Sequence, residues 1–253
     1  MLEQYLRERR EQRDVLLMTH IVIGYPDLDT SLRTVEAMVE NGVDLMELQV
    51  PFSEPIADGP VILHANQKSL NAGTRVEDCF EFASEVTRRF DIPFIFMTYY
   101  NILYQYGVDA FVASMRERGL RGAIVPDLPP EEASAYLDAM RKQSLDPIFI
   151  YSPSTTDERL KYLAEYASGF VYCVARKGVT GSSTKFSDEL GGYLARCRAA
   201  TDLPLAVGFG VQDRDDVAFL KGHADIAVVG SQSIRVLDND GVSAVGSFVR
   251  KLV

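Results

Sequence analysis

The stretch Glu47-Leu48-Gln49-Val50-Pro51-Phe52-Ser53-Glu54-Pro55-Ile56-Ala57-Asp58-Gly59-Pro60 carries the residues best suited to chemistry. It begins as an apolar strand with a carboxylate in it. Alternate strand residues face the same way, so Leu45, Glu47 and Gln49 share one side. A carboxylate in an apolar run is costly unless it is paired or reaches a polar cavity. Pro51 and Pro55 stop the strand and stiffen the turn, and Glu54 and Asp58 follow on the loop. One acid fixed on a strand and another on the loop beyond it suit general acid/base work on a neutral substrate. The same two residues also fit a structural ion pair at Glu47 and a helix cap at Asp58, because structural pairs perturb carboxylates too.

Such residues need a scaffold, and the chain alternates apolar strand-like runs with amphipathic helical ones. The strands are expected over 17–23, 45–50, 93–99, 122–125, 147–151, 170–175, 204–207 and 226–229. The helices are expected over 31–40, 76–89, 110–118, 131–143, 157–166, 188–199, 213–220 and 242–251. Helix starts carry Asp29 and Thr30, Thr74, Asp109, Asp157, Ser187 and Asp213, side chains that accept from free N–H groups. Strands joined by helices are the βαβ pattern. Eight such units of roughly 30 residues make an α/β fold, a (β/α)8 TIM barrel. A charged, helix-forming segment precedes the first strand and would cap the bottom. No Pro/Gly/Ser linker divides the chain, so residues 1–253 are expected to form one domain. A doubly wound open sheet is the alternative.

Active residues of a barrel sit at the C-terminal strand ends and in the loops that follow. Glycines cluster after the last three expected strands, at Gly178 and Gly181, at Gly208 and Gly210, and at Gly230 with Ser231. Glycine lets backbone N–H groups approach an anion, and a helix N-terminus adds its positive end. The pattern points to a phosphate cradle, against the plainer reading of turn glycines. The loops over 52–60 and 176–185 overhang the same mouth. The second is expected to be mobile without ligand, with Thr180 reaching Asp58 when it closes.

The chain has 253 residues and a net charge of −10. It offers no basic stripe to track nucleic acid and no apolar run of membrane-spanning length. Residues 1–14 lack a signal-peptide core. Its three cysteines, Cys79, Cys173 and Cys197, fit neither a disulfide framework nor a zinc spacing, so a reducing, cytoplasmic setting without metal is expected. The thiols fit as small apolar fillers.

Taken together, these segments resemble a known family, the alpha chain of tryptophan synthase, over nearly the whole chain. The most specific match is Glu47 to Pro60 against the family's Glu-Leu-Gly-apolar-Pro-Phe-Ser-Asp-Pro-x-Ala-Asp-Gly-Pro. Met97-Thr98-Tyr99-Tyr100-Asn101, Val125-Pro126-Asp127-Leu128-Pro129, Gly178-Val179-Thr180-Gly181, Gly208-Phe209-Gly210 and Gly230-Ser231 support it. The resemblance implies a lyase that cleaves indole-3-glycerol phosphate to indole and glyceraldehyde 3-phosphate. It implies Glu47 as the acid/base and Asp58 as the partner of the indole N–H. Tyr99, Asp127, Tyr172 and Thr180 would bind or surround the substrate, and Gly181, Gly210, Gly230 and Ser231 the phosphate. It implies no cofactor on this chain. The partner is a beta chain carrying pyridoxal phosphate, in an alpha2-beta2 assembly.

Three positions depart from the pattern. Gln49 stands for a glycine, Glu54 for an aspartate, and His20 for an aromatic residue that meets indole. Two other readings stay open. One is a weak alpha-like chain whose task is to activate a beta chain. The other is a different phosphate-binding barrel, such as an isomerase, which metal or histidine at the strand ends would mark.

Overall fold

A computed structural model describes residues 2–174, 188–208 and 210–253. Among the described residues nine parallel strands form one sheet: β1 Leu16–Val22, β2 Leu45–Gln49, β3 Phe94–Met97, β4 Gly122–Ile124, β5 Asp146–Ile148, β6 Ile150–Tyr151, β7 Val171–Val174, β8 Leu205–Gly208 and β9 Ile226–Val229. Their spatial order is β5-β4-β3-β2-β1-β9-β8-β7-β6. The two ends of that row are neighbours in the chain, separated only by Phe149. Ile148 pairs with β4 while the Phe149 carbonyl accepts from Tyr172 N of β7 at 3.0 Å. The expected fifth strand is therefore two short pieces, and the sheet closes into a barrel through them.

Among the described residues the helices are α1 Leu2–Arg10, α2 Leu28–Glu40, α3 Pro60–Asn71, α4 Val76–Arg89, α5 Tyr100–Tyr106, α6 Val108–Glu117, α7 Ser134–Gln143, α8 Asp157–Ala164, α9 Asp188–Ala200, α10 Arg214–Phe219, α11 Ser231–Asp240 and α12 Val242–Leu252. A 3-10 turn at Pro130–Glu132 replaces the first turn expected of α7. Three helices were not foreseen: α3, α5 and α11. Four caps also differ, with Arg75 rather than Thr74 before α4 and Gly107 rather than Asp109 before α6. Asp27, not Asp29, accepts from Thr30 N at the start of α2, and Thr156, not Asp157, caps α8.

Strand alternation sorts the core into two layers. Leu16, Met18, Leu45, Ile95, Met97, Ile226 and Val228 point into the barrel. Leu17, Met46, Leu48, Phe94, Phe96, Ala227 and Val229 pack outward against the helices. Leu45 faces in and Leu48 out, so Glu47 and Gln49 face in. Leu2 and Leu6 of α1 join the interior cluster and close its lower end.

Candidate active site

The β1–β2 ladder sets His20 directly opposite Glu47. Both side chains point into the upper barrel, and His20 Nδ1 lies 2.9 Å from Glu47 Oε1 in a buried contact. His20 Nε2 and Glu47 Oε2 are buried without a hydrogen-bond partner. Burial alone would push the His20 imidazole toward its neutral form. The Glu47 carboxylate outweighs this by charge and hydrogen bond, Asp58 and Gln49 add to it, and the ring's pKa lies above its ordinary value.

Asp58 sits on the loop between β2 and α3. Gly59 caps α3 and Pro60 takes its first position, where a missing N–H costs nothing. That helix brings Asn66 under the loop. Asn66 Oδ1 accepts from Phe52 N at 2.9 Å, and its amide donates to Ile62 O at 2.9 Å and more weakly to Asp58 Oδ2 at 3.4 Å. Gln49 Nε2 donates to the same Asp58 oxygen at 2.6 Å. Tyr99 OH accepts from Ala57 N at 3.2 Å, one residue before the acid. Burial raises the pKa of Asp58; the Gln49 hydrogen bond and the His20 charge oppose it, and Glu47 adds to it.

Glu47 and Asp58 line one cleft, with about 520 Å³ of empty space including its mouth. Met97, Ile124, Ile150 and Val228 make its apolar wall, and Tyr172 and Gly230 line it too. Gly208 makes room for Tyr172, because a Cβ there would lie 2.9 Å from Tyr172 Cζ. Burial, then the charges of Glu47 and Asp58, hold the Tyr172 hydroxyl well above its ordinary pKa. Two acids, an apolar slot and a phenol can move a proton on a flat, apolar substrate.

The other expected residues are placed differently. Tyr99 is fully buried beneath Phe52, ring centroids 5.0 Å apart, and supports the Asp58 loop. Asp127 accepts from Tyr100 N at 2.9 Å and so fixes the start of α5. Gly230 caps α11, and Ser231 is its first residue. Gly210 is exposed and has φ +83°, where glycine is favoured. Thr180, Gly181 and the whole loop over 176–185 lie outside the described residues, as does Phe209. Among the described residues no three His, Cys, Asp or Glu are grouped to hold a metal. The three cysteines are buried and free. Asn66 escaped sequence reading; Gly59-Pro60 was the signal for its helix.

A sequence family described as "Tryptophan synthase alpha chain" matches residues 6–249. The chain is 66% identical to the tryptophan synthase alpha chain of Desulforapulum autotrophicum, over all of both chains. It is 64% identical to that of Syntrophotalea carbinolica, again over all of both. A tryptophan synthase structure from Mycobacterium tuberculosis superposes with a TM-score of 0.92 at 35% identity, covering 99% of this chain and 96% of that one. A tryptophan synthase complex from Pyrococcus furiosus gives 0.85 at 32%, covering 94% and 97%. With its strand-borne Glu47 and loop-borne Asp58 in one barrel mouth, the chain belongs to the tryptophan synthase alpha chain family.

Proposed function

We propose that the chain cleaves indole-3-glycerol phosphate to indole and glyceraldehyde 3-phosphate as a carbon–carbon lyase of tryptophan biosynthesis, with Glu47 and Asp58 as its working groups. The observation that carries the assignment is the shared cleft: one buried acid with a free oxygen, a second acid beside it, and an apolar slot between them and Tyr172. Indole C3 gains a proton as the neighbouring side-chain hydroxyl loses one. The electron pair of that O–H bond becomes the aldehyde π bond, and the pair of the broken C–C bond returns to the ring. Glu47 Oε2 takes the hydroxyl proton and delivers it to C3, so the carboxylate ends as it began. Positive charge grows at the indole nitrogen while C3 is protonated. Asp58 Oδ1, which neither Gln49 nor Asn66 touches, is assigned to that N–H, and a dry cleft strengthens the attraction.

Tyr172 is assigned to the indole face, and Tyr99 and Asp127 to holding the surrounding loops. Gly230 and Ser231 at the start of α11 are assigned to the phosphate, with Gly210, Gly181 and Thr180 as further family positions. An anion at a helix N-terminus is favoured, and remote phosphate binding can position the reacting bond. The residues present require no cofactor for this proton chemistry. The proposed partner is a pyridoxal-phosphate beta chain in an alpha2-beta2 assembly, in the cytoplasm, with residues 1–253 as one domain.

Indole release from indole-3-glycerol phosphate, with and without a beta chain, tests the reading. Glu47→Gln keeps the shape and removes the proton, so turnover should fall about 10²–10⁴-fold with little change in KM. Asp58→Asn should cost about 10²–10³-fold. Substantial turnover in Glu47→Gln would overturn the assignment.

A further inference from the structure

We propose that His20 is a positioning residue for Glu47, holding Oε1 so that Oε2 alone meets the substrate. The inference rests on the proposed role of Glu47. Its basis is geometric. His20 and Glu47 are opposed across the β1–β2 ladder, so backbone pairing fixes their approach, and Nδ1 meets Oε1 at 2.9 Å. The terminal torsion of a glutamate is broad and roughly two-fold. Without a fixed donor, the Glu47 carboxylate could turn either oxygen toward the cleft. A donor on Oε1 removes that freedom, and Oε2 is left buried and unpartnered.

The surroundings say which form of the ring does this. Glu47 faces His20 from β2 and Asp58 from the loop above, both acids, and Gln49 presents a neutral amide. Among the described residues that share a cleft with His20, Val228 and Gly230 from β9 and its following turn, Ile62 from α3 and Ser233 from α11 carry no charge, and Tyr172 and Tyr25 present phenols held above their ordinary pKa. Among the described residues these are two anions and no cation, a setting that favours the imidazolium. A buried carboxylate is expensive alone and much less so beside a hydrogen-bonded cation. His20 thus supplies orientation through Nδ1–H and charge through the ring. It stands where the family pattern has an aromatic residue, so this chain supports its acid differently.

The two contributions separate experimentally. His20→Phe removes both, and kcat should fall about 10²-fold, the scale of a misplaced catalytic group, while KM changes little. His20→Asn keeps an amide donor near the Nδ1 position and should recover most of kcat. The parent should lose kcat/KM on the alkaline side as the ring deprotonates, and both variants should lack that limb. Proton NMR of the folded chain adds a readout free of turnover. Only three histidines are present, His20, His64 and His223. The His20 ring should titrate above the ordinary imidazole value, and Glu47→Gln should lower its midpoint. A His20→Phe enzyme with parental kcat and pH profile overturns the proposal. So does an Asn variant no better than Phe, or a His20 midpoint that Glu47→Gln leaves unmoved. If Glu47→Gln itself keeps turnover, the fault lies in the reading of Glu47. If Glu47→Gln is dead and His20→Phe is parental, only the positioning role fails.

Discussion

At the scale of single residues, the upper barrel spends stability on function. His20 Nε2, Glu47 Oε2 and Gln49 Oε1 are all buried without a partner. Each such group typically costs about 1–3 kcal/mol. Glu47 and Gln49 face inward on one strand, and His20 stands on the next, which is where a polar substrate would supply what the protein withholds. The protonation of this cluster should be visible in the folding equilibrium. The native His20 pKa lies above 6.5, so between 6.5 and that higher value the native state holds a proton the unfolded chain has released. Stability from the His20–Glu47 pair is therefore full below 6.5 and fades as pH rises through the native value. Asp58, raised above 3.8 by burial, acts in the same direction: the native state is penalised as pH climbs from 3.8 through the native Asp58 value. Urea titrations across these windows should give a declining unfolding free energy, and His20→Asn should flatten the segment above 6.5. A parent profile that rises there would refute the assigned ionisation.

At the scale of elements, the Asp58 loop depends on α3 as well as on β2. The loop from Phe52 to Gly59 has few apolar anchors, and Ile56 is 78% exposed. It is held instead by polar contacts: Asn66 to Phe52 N, Gln49 and Asn66 to Asp58, and Tyr99 to Ala57 N. Asn66 is wholly buried, so Asn66→Ala strands Phe52 N and loosens Asp58. We expect a loss of about 1–3 kcal/mol in stability, and a drop in kcat/KM larger than any fall in melting temperature explains at the assay temperature. Unchanged kinetics in a destabilised Asn66→Ala would show that Asp58 is held without it. This helix also marks the limit of sequence reading. The inward set of Leu45, Glu47 and Gln49 was legible because a strand's period of two leaves no other choice. So was the barrel, because apolar runs alternate with amphipathic ones through the chain. The α3, α5 and α11 segments were not, because each begins at the end of a motif already read as loop, at Gly59-Pro60, Tyr99-Tyr100 and Gly230-Ser231. Nor could sequence give the His20–Glu47 contact, since strand register decides it. Tyr99 and Asp127 were correctly located at strand ends, yet they hold backbone N–H groups, a distinction only packing makes.

At the scale of the whole molecule, the two ends of the barrel divide the labour. The upper end carries unpartnered polar atoms and the cleft. The lower end is closed by α1, whose Leu2 and Leu6 enter the interior cluster. Asp44, fully buried at the foot of β2, ties that helix down. Its carboxylate takes Arg9 Nε at 2.9 Å, Arg13 Nη1 at 3.2 Å and Leu17 N at 2.9 Å, while its carbonyl accepts from Tyr5 OH at 3.0 Å. Glu47 lies three residues up the same strand, about 10 Å at the usual rise. Removing one member of a buried ion pair costs about 3–5 kcal/mol when the survivor stays dry. Here the arginine side chains are 35% and 27% exposed and can turn to water, so Asp44→Asn should cost less, about 1–3 kcal/mol. The urea midpoint should fall with an unchanged slope. Both kcat and KM should match the parent wherever the variant is folded, because no contact of Asp44 reaches the cleft. A folded Asp44→Asn with reduced kcat would mean that the lower closure sets the geometry of Glu47 through β2, and the division between a stabilising end and a working end would not hold.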